Sequence, residues 1–331
     1  AHGGPRSREM ADSFAANACN KVNDLSLPDL YKNLASTGLV QRLLELARDE
    51  DLGVQGDVTC KVTLEESKDI QAKVVSRAQL VVSGLAIIPD AIEIFAPGVI
   101  AEHKAEDGAF VEKGTTLVIL KGPSHEMLRL ERTLLNVMSR MSGIATRVRE
   151  FHQTILKAAG PDCKTKLLDT RKTTPGLRVL EKYATRCGGG YCHRLGLHDA
   201  VLIKDNHLSG LTPPQVAKMV GKASKERDAL VKRGMEIKFF EVEVDNLEQL
   251  DAVLSLPMGT VDIVLCDNFD CDMLTQAVRK RDASEKPILL EASGGVSIAT
   301  VGAIACTGVD RISVGGLTHQ ATSIDLGLDA A

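Results

Sequence analysis

Short runs of apolar residues alternate with helix-length segments over the second half of the chain. Each run ends in a polar or glycine-bearing tip, and the runs are TKLLDT, DAVLIKD, KFFEVEVD, VDIVLCD, PILLEAS and RISVGG. Such runs are typical of parallel strands that are buried on both faces. The pattern predicts a β/α barrel, complete or open, although six runs are fewer than the eight strands of a full barrel. A doubly wound sheet would give a similar pattern and stays open as an alternative.

The first half of the chain has a different pattern. Residues 35–50 place apolar side chains at helical spacing, with Ser36 or Thr37 available as the N-cap, and predict an amphipathic helix. From residue 69 to 120, runs rich in valine and isoleucine lie between glycine and proline turns and indicate a small sheet of strands and hairpins. Residues 125–158 show helical periodicity with few breakers. We therefore expect an α+β first domain that ends near the start of this long helix.

The composition limits the kinds of partner. Among 331 residues, 40 Lys and Arg oppose 44 Asp and Glu, and the resulting net charge of −4 argues against nucleic acid as a partner. Seven Phe, three Tyr and no Trp argue against a surface that stacks bases. The eight cysteines include no C-x-x-C pair and are too sparse for a disulfide scaffold, which favours a reducing cytosol.

No segment is predicted to enter a membrane. The most apolar stretch, residues 80–88, is under half the length of a membrane span and contains Ser83 and Gly84. The polar start of the chain lacks an apolar signal core, and the internal Met10 leads us to interpret residues 1–9 as the remnant of a tag. We expect a cytoplasmic protein.

The predicted strand tips carry charged groups of both signs. Because reactive groups lie at the carboxyl ends of barrel strands, this arrangement predicts an active site at that end. Acidic candidates there are Glu241, Glu243 and Asp267. A dense basic cluster favours a small substrate with carboxylates or phosphates. Its members are Arg171, Lys172, Arg178, Arg186, His193, Arg194 and Lys204.

The last two units each read as strand, Gly-Gly and helix. Two glycines let the backbone approach a ligand closely, and a helix N-terminus favours an anion. The pairs are Gly294–Gly295 and Gly315–Gly316, in the terminal units where β/α barrels usually bind phosphate. The sequence therefore predicts a phosphate site, and the absence of a Walker or dinucleotide motif argues against a nucleoside triphosphate or NAD site.

Two metal sites can be considered. Cys187, Cys192 and His193 lack a fourth ligand and the usual spacing of a zinc site, so we interpret the thiols as structural or incidental. Glu243 and Asp267 suit magnesium better, because this ion takes one or two carboxylates together with substrate phosphates.

Ordered motifs along most of the chain resemble the quinolinate phosphoribosyltransferase family, the carboxylating nicotinate-nucleotide pyrophosphorylases of NAD biosynthesis. The resemblance runs from about Leu44 to Leu328. Its motifs are ERTLLNVMSRMSGIAT, DTRKTTPGLR, EKYATRCGGGYCHRLGLHDAVLIKDNH, EVEVDNLEQL, CDNF, LEASGG and ISVGGLTH. Cys192, Cys266 and Gly316 depart from the family's usual residues, but none of these departures removes a charged group.

The resemblance implies an α/β fold in which an N-terminal α/β sandwich precedes an open, incomplete β/α barrel of the type II phosphoribosyltransferase kind. It also implies a homodimer with shared active sites, and higher oligomers stay open. On this basis we divide the chain into a 1–34 extension, a 35–125 sandwich, a 126–310 barrel and a 311–331 segment. The last segment would supply the final barrel strand and return to the first domain.

The implied reaction joins quinolinate to phosphoribosyl pyrophosphate with magnesium, releases pyrophosphate and carbon dioxide, and leaves nicotinate mononucleotide. Matching the family's motifs implies that Glu243 and Asp267 face the ribose hydroxyls and magnesium pyrophosphate. The implied catalytic residues are Lys172, Lys204, Glu243 and Asp267. The implied quinolinate ligands are Arg171, Lys172, His193, Arg194, Lys204 and the partner's Arg132, and Thr173 is a further implied substrate-binding residue. The implied ligands of the 5′-phosphate are Ser293, Gly294, Gly295, Gly315 and Gly316.

Other functions stay open at this point. A paralogous phosphoribosyltransferase-like protein could act on another pyridine, although the retained DTRKT and CHR motifs favour a substrate with two carboxylates. A barrel aldolase could use Lys172 or Lys204 as a Schiff-base amine and would share the phosphate site. A phosphometabolite-binding or structural protein would show no turnover.

Overall fold

The computed structural model describes residues 21–64 and 68–331. Its α-helices are α1 (Leu27–Ala35), α2 (Leu39–Leu52), α3 (Val58–Thr63), α4 (Ile88–Phe95), α5 (Ser124–Ala159), α6 (Arg178–Cys187), α7 (Asp205–Leu208), α8 (Pro213–Lys232), α9 (Leu247–Leu254), α10 (Cys271–Ala283), α11 (Val301–Cys306) and α12 (Gly316–His319). Its strands are β1 (Asp69–Ser76), β2 (Leu80–Val81), β3 (Ile100–His103), β4 (Phe110–Val111), β5 (Thr116–Pro123), β6 (Lys166–Leu168), β7 (Val201–Ile203), β8 (Phe240–Val244), β9 (Ile263–Asp267), β10 (Leu289–Ser293), β11 (Arg311–Ser313) and β12 (Leu326–Ala330). The predicted tag and most of the predicted extension lie outside the described residues.

The chain forms two compact units, each built from separate stretches of sequence. The parallel-sheet unit comprises residues 21–24, 151–171 and 191–316 of the described chain. The antiparallel-sheet unit comprises Leu25–Glu150, Lys172–Gly190 and Leu317–Ala331. The boundaries placed at residues 34, 125 and 310 from the sequence stay predictions.

All six apolar runs of the second half form strands of one parallel sheet. The strand order is β6-β11-β10-β9-β8-β7, with each neighbouring pair parallel. The first two strands along the chain, β6 and β7, therefore lie at opposite edges. This is the order of a β/α barrel that is interrupted between β6 and β7. The predicted open, incomplete barrel is confirmed.

Carboxylates on this sheet alternate with apolar residues. Strand β8 is buried along its whole length, although it contains Glu241 and Glu243. These two residues share one face of the strand because side chains alternate with a period of two. Glu291 lies on β10 and pairs in register with Arg311 on β11. One face of the sheet thus carries the buried charges together with apolar residues such as Leu265, while Val242 lies on the opposite face of β8.

The antiparallel-sheet unit has a four-stranded sheet in the order β12-β1-β5-β3. The C-terminal strand β12 pairs with β1 from Ala72↔Ala330 to Ser76↔Leu326. The long helix predicted over 125–158 is α5. Gly122 on β5 has φ +154, and an added Cβ would lie 2.7 Å from the backbone oxygen of Gly98, so this close approach requires glycine.

Two local expectations were wrong. The N-cap of α2 is Gly38 with φ +73, whereas Ser36 and Thr37 end the preceding helix. The hydroxyl of Thr37 donates to the carbonyl of Leu34 at 2.7 Å and accepts the N–H of Leu39 at 3.3 Å, so it bonds to the end of one helix and the start of the next without being the N-cap. The segment from 69 to 120 also contains α4, which begins at Ile88 with Pro89 in its first turn and which buries an apolar helical face.

Within residues 21–64 and 68–331, no helix combines the length and apolar character that crossing a bilayer requires.

Candidate active site

Polar residues collect at the carboxyl ends of the central strands of the parallel sheet. Asp267 and Ser293 are the last residues of β9 and β10 and lie opposite each other in register. Glu243 lies opposite Leu265, which is two residues before Asp267 on the same face of β9. The strands thus place both predicted magnesium ligands on one face of the sheet, with Asp267 further toward the carboxyl end.

Lys204 is held beside Glu243 by an ion pair. Lys204 follows β7 in an extended conformation as the residue that precedes α7. Its Nζ lies 2.9 Å from Oε2 of Glu243, and the backbone N–H of Asp205 donates to Oε1 at 3.4 Å. The Glu243 side chain is nearly buried, whereas that of Lys204 is about half exposed. The ammonium therefore stays close to the carboxylate and can still reach a ligand.

The carboxyl group of Asp267 lies in an acidic environment. Burial raises the pKa of Asp267, the negative charge of Glu243 raises it further, and Lys204 opposes both effects. Asp245 and Asp205 add smaller contributions in the same direction as Glu243. Like charges at one end of a sheet favour the binding of a cation. The donor set of Glu243 and Asp267 therefore fits a hard divalent cation that also binds substrate oxygens.

The Gly294–Gly295 turn is shaped by Asn268. Gly294 and Gly295 have φ +91 and +58, and a Cβ on Gly294 would overlap Oδ1 of Asn268. The N–H of Asn268 donates to the carbonyl of Ser293 at 2.9 Å, and Nδ2 donates to Oδ2 of Asp267 at 2.7 Å. Asn268 itself has φ +56. The turn therefore fits tightly against the residue that comes after Asp267.

The two Gly-Gly turns lead into different local structures. Helix α12 begins at Gly316, directly after Gly315, as the pattern predicts. After Gly295, however, the chain makes a further turn and α11 begins only at Val301. The side chain of Thr300 accepts the N–H of Ser297 at 3.0 Å, so this intervening turn is locally hydrogen-bonded.

His193 is part of a buried charged cluster. Its Nε2 lies 3.1 Å from Oε2 of Glu241 and 3.3 Å from Oε1 of Glu291. Nε of Arg311 donates to Oε2 of Glu291 at 2.7 Å. The other ring nitrogen, Nδ1, accepts the backbone N–H of Arg194 at 2.7 Å. Both nitrogens of His193 therefore have partners within the parallel-sheet unit.

Burial and neighbouring charges have opposing effects on the pKa values in this cluster. Burial alone would lower the pKa of His193, but the charges of Glu291 and Glu241 outweigh it and raise the pKa to about 9. Burial and the charge of Glu291 raise the pKa of Glu241. Burial alone would raise the pKa of Glu291. The positive charges of His193 and Arg311 outweigh burial and hold this pKa below its usual value. The carboxylates thus favour the protonated form of His193, whereas burial and the charge of Glu291 favour the neutral form of Glu241.

The same cluster is the one group of metal-ligand type in the described ranges. His193, Glu241 and Glu291 each place one possible ligand atom within 4.8 Å of the others. Ion pairs with His193 and Arg311 offset the charges of the two carboxylates, which favours an ionic network over a metal site, although Oε1 of Glu241 has no hydrogen-bond partner among the described residues. Neither thiol of the rejected zinc interpretation belongs to this group.

The remaining basic candidates occupy different environments. Arg194 is buried and its Nη1 donates to the carbonyl of Ala200 at 3.3 Å. Nε of Arg171 is buried without a hydrogen-bond partner among the described residues, as expected of a group that awaits an anionic ligand. Lys172 is exposed, and Oγ1 of Thr173 accepts from Nε of Arg178 at 3.0 Å. Lys172 and Thr173 belong to the antiparallel-sheet unit.

Arg132 lies on the surface of α5 in the antiparallel-sheet unit. Its side chain is 65% exposed, and the nearest carboxylate is that of Glu131 at 3.9 Å. An exposed pair at this distance contributes little to stability. The guanidinium is therefore available for a function other than stabilising the fold.

The chain matches both domains of one protein family. The model of the quinolinate phosphoribosyl transferase C-terminal domain matches residues 144–329, and that of the N-terminal domain matches residues 57–142. The chain belongs to the quinolinate phosphoribosyl transferase family. The resemblance inferred from the motifs is thus confirmed.

Named members of the quinolinate phosphoribosyl transferase family align over most of the chain. The nicotinate-nucleotide pyrophosphorylase (carboxylating) of Mycobacterium leprae is 38% identical over 86% of this chain and 94% of that protein. The chloroplastic protein of the same name from Arabidopsis thaliana is 35% identical over 87% of this chain and 82% of its own length. The solved nicotinate-nucleotide pyrophosphorylase of Francisella tularensis has a TM-score of 0.78 at 34% identity and covers 94% of this chain and 99% of its own.

Several residues of the site were missed from the sequence. Glu291 lies inside the apolar run PILLEAS, where a charge could have been noticed because it interrupts the apolar pattern, whereas Arg311 is the first residue of the run RISVGG. Asn268 appears in the sequence analysis only within the CDNF motif. Its positive φ and its contact with Gly294 are not visible in the local sequence.

Proposed function

We propose that the chain transfers the phosphoribosyl group of phosphoribosyl pyrophosphate to quinolinate, with loss of carbon dioxide, to give nicotinate mononucleotide. The observation that carries the proposal is the grouping of Lys204, Glu243 and Asp267 at the carboxyl end of the parallel sheet in a chain of this family. Both signs of charge are needed there, because the substrates are anionic and the leaving group departs as pyrophosphate with a divalent cation.

Quinolinate has two carboxylates, and the family motifs imply that arginine and lysine side chains bind them. Arg171 supports this role because its buried Nε has no hydrogen-bond partner within the described chain. Lys204 is fixed by Glu243 but half exposed, so it can bind a carboxylate without leaving its ion pair. Arg194 and Lys172 complete the set in this proposal. Charge-assisted hydrogen bonds from such groups would orient the pyridine ring.

His193 is engaged at both ring nitrogens within the chain. The family pattern nevertheless includes it among the quinolinate ligands. The hydrogen bond to the N–H of Arg194 supports an additional contribution, because it fixes the backbone from which the Arg194 guanidinium extends.

Magnesium is part of the proposal. Glu243 and Asp267 would hold it, because the negative charges of these two neighbouring carboxylates would be offset by a divalent cation. The ion would neutralise charge on the departing pyrophosphate. Ser293 with the Gly294–Gly295 and Gly315–Gly316 turns would bind the 5′-phosphate through backbone N–H groups.

The reaction then needs positioning and electrostatic stabilisation, with no covalent enzyme intermediate. The pyridine nitrogen attacks the anomeric carbon while the bond to pyrophosphate breaks, and pyrophosphate leaves with the electron pair. The ring nitrogen becomes cationic, so the adjacent carboxylate is lost as carbon dioxide and the electron pair stays on the ring carbon beside this charge. That carbon takes up a proton, and nicotinate mononucleotide is released.

A homodimer with shared active sites and a cytoplasmic location complete the proposal. The exposed guanidinium of Arg132, with only a distant carboxylate nearby, supports its entry into the site of a partner subunit. The cytoplasmic location is supported by cysteines that are free thiols where the structure describes them.

The aldolase alternative is not favoured. A Schiff base requires an amine that is free to attack a carbonyl group, whereas Nζ of Lys204 lies 2.9 Å from Oε2 of Glu243 in an ion pair. The decisive assay supplies phosphoribosyl pyrophosphate with quinolinate or with nicotinate and follows nucleotide formation by chromatography. We expect nucleotide from quinolinate only. Nucleotide from nicotinate alone would instead identify a paralogous enzyme, and no nucleotide from either would contradict phosphoribosyl transfer.

A further inference from the structure

Five residues of the antiparallel-sheet unit form a closed circuit of hydrogen bonds. Oε1 of Glu181 accepts from Arg140 at 3.1 Å through Nε and at 2.9 Å through Nη2. The same carboxylate accepts the hydroxyl of Thr174 at 2.8 Å and the N–H of Thr174 at 3.1 Å. Nη2 of Arg140 also donates to the carbonyl of Thr318 at 2.8 Å. The hydroxyl of Thr318 closes the circuit by donating to the carbonyl of Lys172 at 2.7 Å.

This Glu181 circuit connects two segments that are far apart in the sequence. One is the loop that carries Lys172 and Thr174, and the other comes after Gly316 and carries Thr318. Arg140 strengthens the second connection through Nη1, which donates to the carbonyl of Ala321 at 2.5 Å. Each loop is thus held by its backbone, which fixes the path of the chain.

Because Glu181 is buried, the loss of any hydrogen-bond partner in the circuit would lower the stability of the folded protein. The side chain of Glu181 is 1% exposed and that of Arg140 is 22% exposed. Removing one partner of such a pair leaves an uncompensated charge. A pair of hydrophobic side chains at these positions could stabilise the fold as well or better. The presence of Arg140 and Glu181 instead therefore points to a need for a fixed geometry of the two loops.

We propose that Arg140 and Glu181 are positioning residues that hold Lys172 and Thr318 in place for phosphoribosyl transfer. The inference rests on the proposed function, in which Lys172 binds a quinolinate carboxylate and Gly316, two residues before Thr318, contributes to the 5′-phosphate site. The circuit therefore couples the placement of the two substrates. Neither Arg140 nor Glu181 needs to contact a reacting atom.

The sharpest test uses two substitutions of Thr318. Thr318→Val removes the hydroxyl and keeps the volume, whereas Thr318→Ser keeps the hydroxyl. We expect Thr318→Val to lower kcat/KM for quinolinate about tenfold, since a hydrogen bond contributes roughly that factor. Thr318→Ser should stay within about threefold of the unmodified protein. Both are assayed well below their unfolding temperatures, so that only folded protein is compared.

Glu181→Gln provides an independent variant with a matched control. It removes the negative charge opposite Arg140, and we expect a loss of kcat/KM on the order of 100-fold. Asp329→Asn removes a carboxylate of the same unit that is paired with Arg77 at 3.1 Å through Nη1 but is exposed. This control should keep normal kcat/KM for both substrates.

The outcomes separate the two proposals. If the unmodified protein forms no nucleotide from quinolinate, the proposed function fails and the positioning role fails with it. If the unmodified protein is active and Thr318→Val lowers the unfolding temperature but keeps normal kcat/KM, the circuit is structural and the inference is overturned. Equal losses in Thr318→Val and Thr318→Ser would also overturn it, because the hydroxyl would then be irrelevant.

Discussion

Nε2 of His193 lies 3.1 Å from Oε2 of Glu241, inside the parallel sheet and away from the exposed strand ends. A histidine from the segment between α6 and β7 is thereby anchored to β8, and Glu291 on β10 provides a second anchor at 3.3 Å. The backbone N–H of Arg194 bonds to the same ring. The buried ion cluster therefore fixes the position from which a predicted substrate ligand extends.

Glu291→Gln should destabilise the protein more than Asp329→Asn. Glu291 is buried and interacts with both Arg311 and His193, whereas Asp329 is part of an exposed pair. Loss of a partner from a buried network costs about 3–5 kcal/mol, against about 0–1 kcal/mol for an exposed pair. Thermal unfolding of the two variants measures the difference. Equal unfolding temperatures would contradict the account of the cluster.

The contribution of His193 to stability should depend on pH. Its pKa is raised to about 9 in the folded chain, above the ordinary value of 6.5. The folded state then binds the proton more tightly than the unfolded state, so the stabilisation is complete below about pH 6.5 and declines as the pH rises through 9. Comparing the unfolding temperatures of the parent and His193→Gln from pH 6 to 9.5 measures this contribution. A difference that grows with pH would have the wrong sign.

Substitutions of the two neighbouring glycines should differ in effect. Gly294→Ala makes a Cβ overlap Oδ1 of Asn268 and should distort the turn, whereas a Cβ on Gly295 meets nothing within 4 Å. Gly295→Ala should therefore cost only the backbone strain of its positive φ, about 1–2 kcal/mol. Calorimetric titration with phosphoribosyl pyrophosphate should show the greater loss of affinity for Gly294→Ala. The reverse order would move the phosphate site away from this turn.

Arg132→Ala and Lys172→Ala should complement each other in a mixture. Each alone should lose roughly 30- to 1,000-fold in rate, as expected for a charge-assisted contact worth about 2–4 kcal/mol in the transition state. If Arg132 serves the partner's site, a heterodimer has one site with both lesions and one with neither. Random exchange then restores about a quarter of the parent activity. No recovery after exchange verified by mass spectrometry would contradict shared sites.

The sequence predicted the parts of the fold that depend on local periodicity. Strands such as β8 and the helix α5 repeat their pattern over enough residues to be recognised, and the strand-end residues Glu243 and Asp267 are direct consequences of the strand assignments. Contacts across long separations were not predictable. Arg140 and Glu181 are 41 positions apart, and Arg140 and Thr318 are 178 apart. No local rule connects such residues, because their proximity depends on how the whole unit folds.

The cap of α2 shows the same limit at short range. Ser36 and Thr37 are good N-cap residues, but α1 ends there and takes up the hydroxyl of Thr37. The preference for Ser or Thr at an N-cap therefore predicted Ser36 or Thr37, whereas the N-cap is Gly38, because the end of α1 was not recognised. Tertiary context likewise explains Asn268, whose backbone N–H donates to the carbonyl of Ser293 at the end of the neighbouring strand β10.

The most direct measurement of the central claim is carbon dioxide release from quinolinate labelled in the carboxylate next to the ring nitrogen. We predict that release requires phosphoribosyl pyrophosphate and magnesium, matches pyrophosphate one to one, and falls at least about 100-fold in Asp267→Asn. Asp329→Asn should behave as the parent protein. Release without phosphoribosyl pyrophosphate, or none under any of these conditions, would contradict phosphoribosyl transfer to quinolinate.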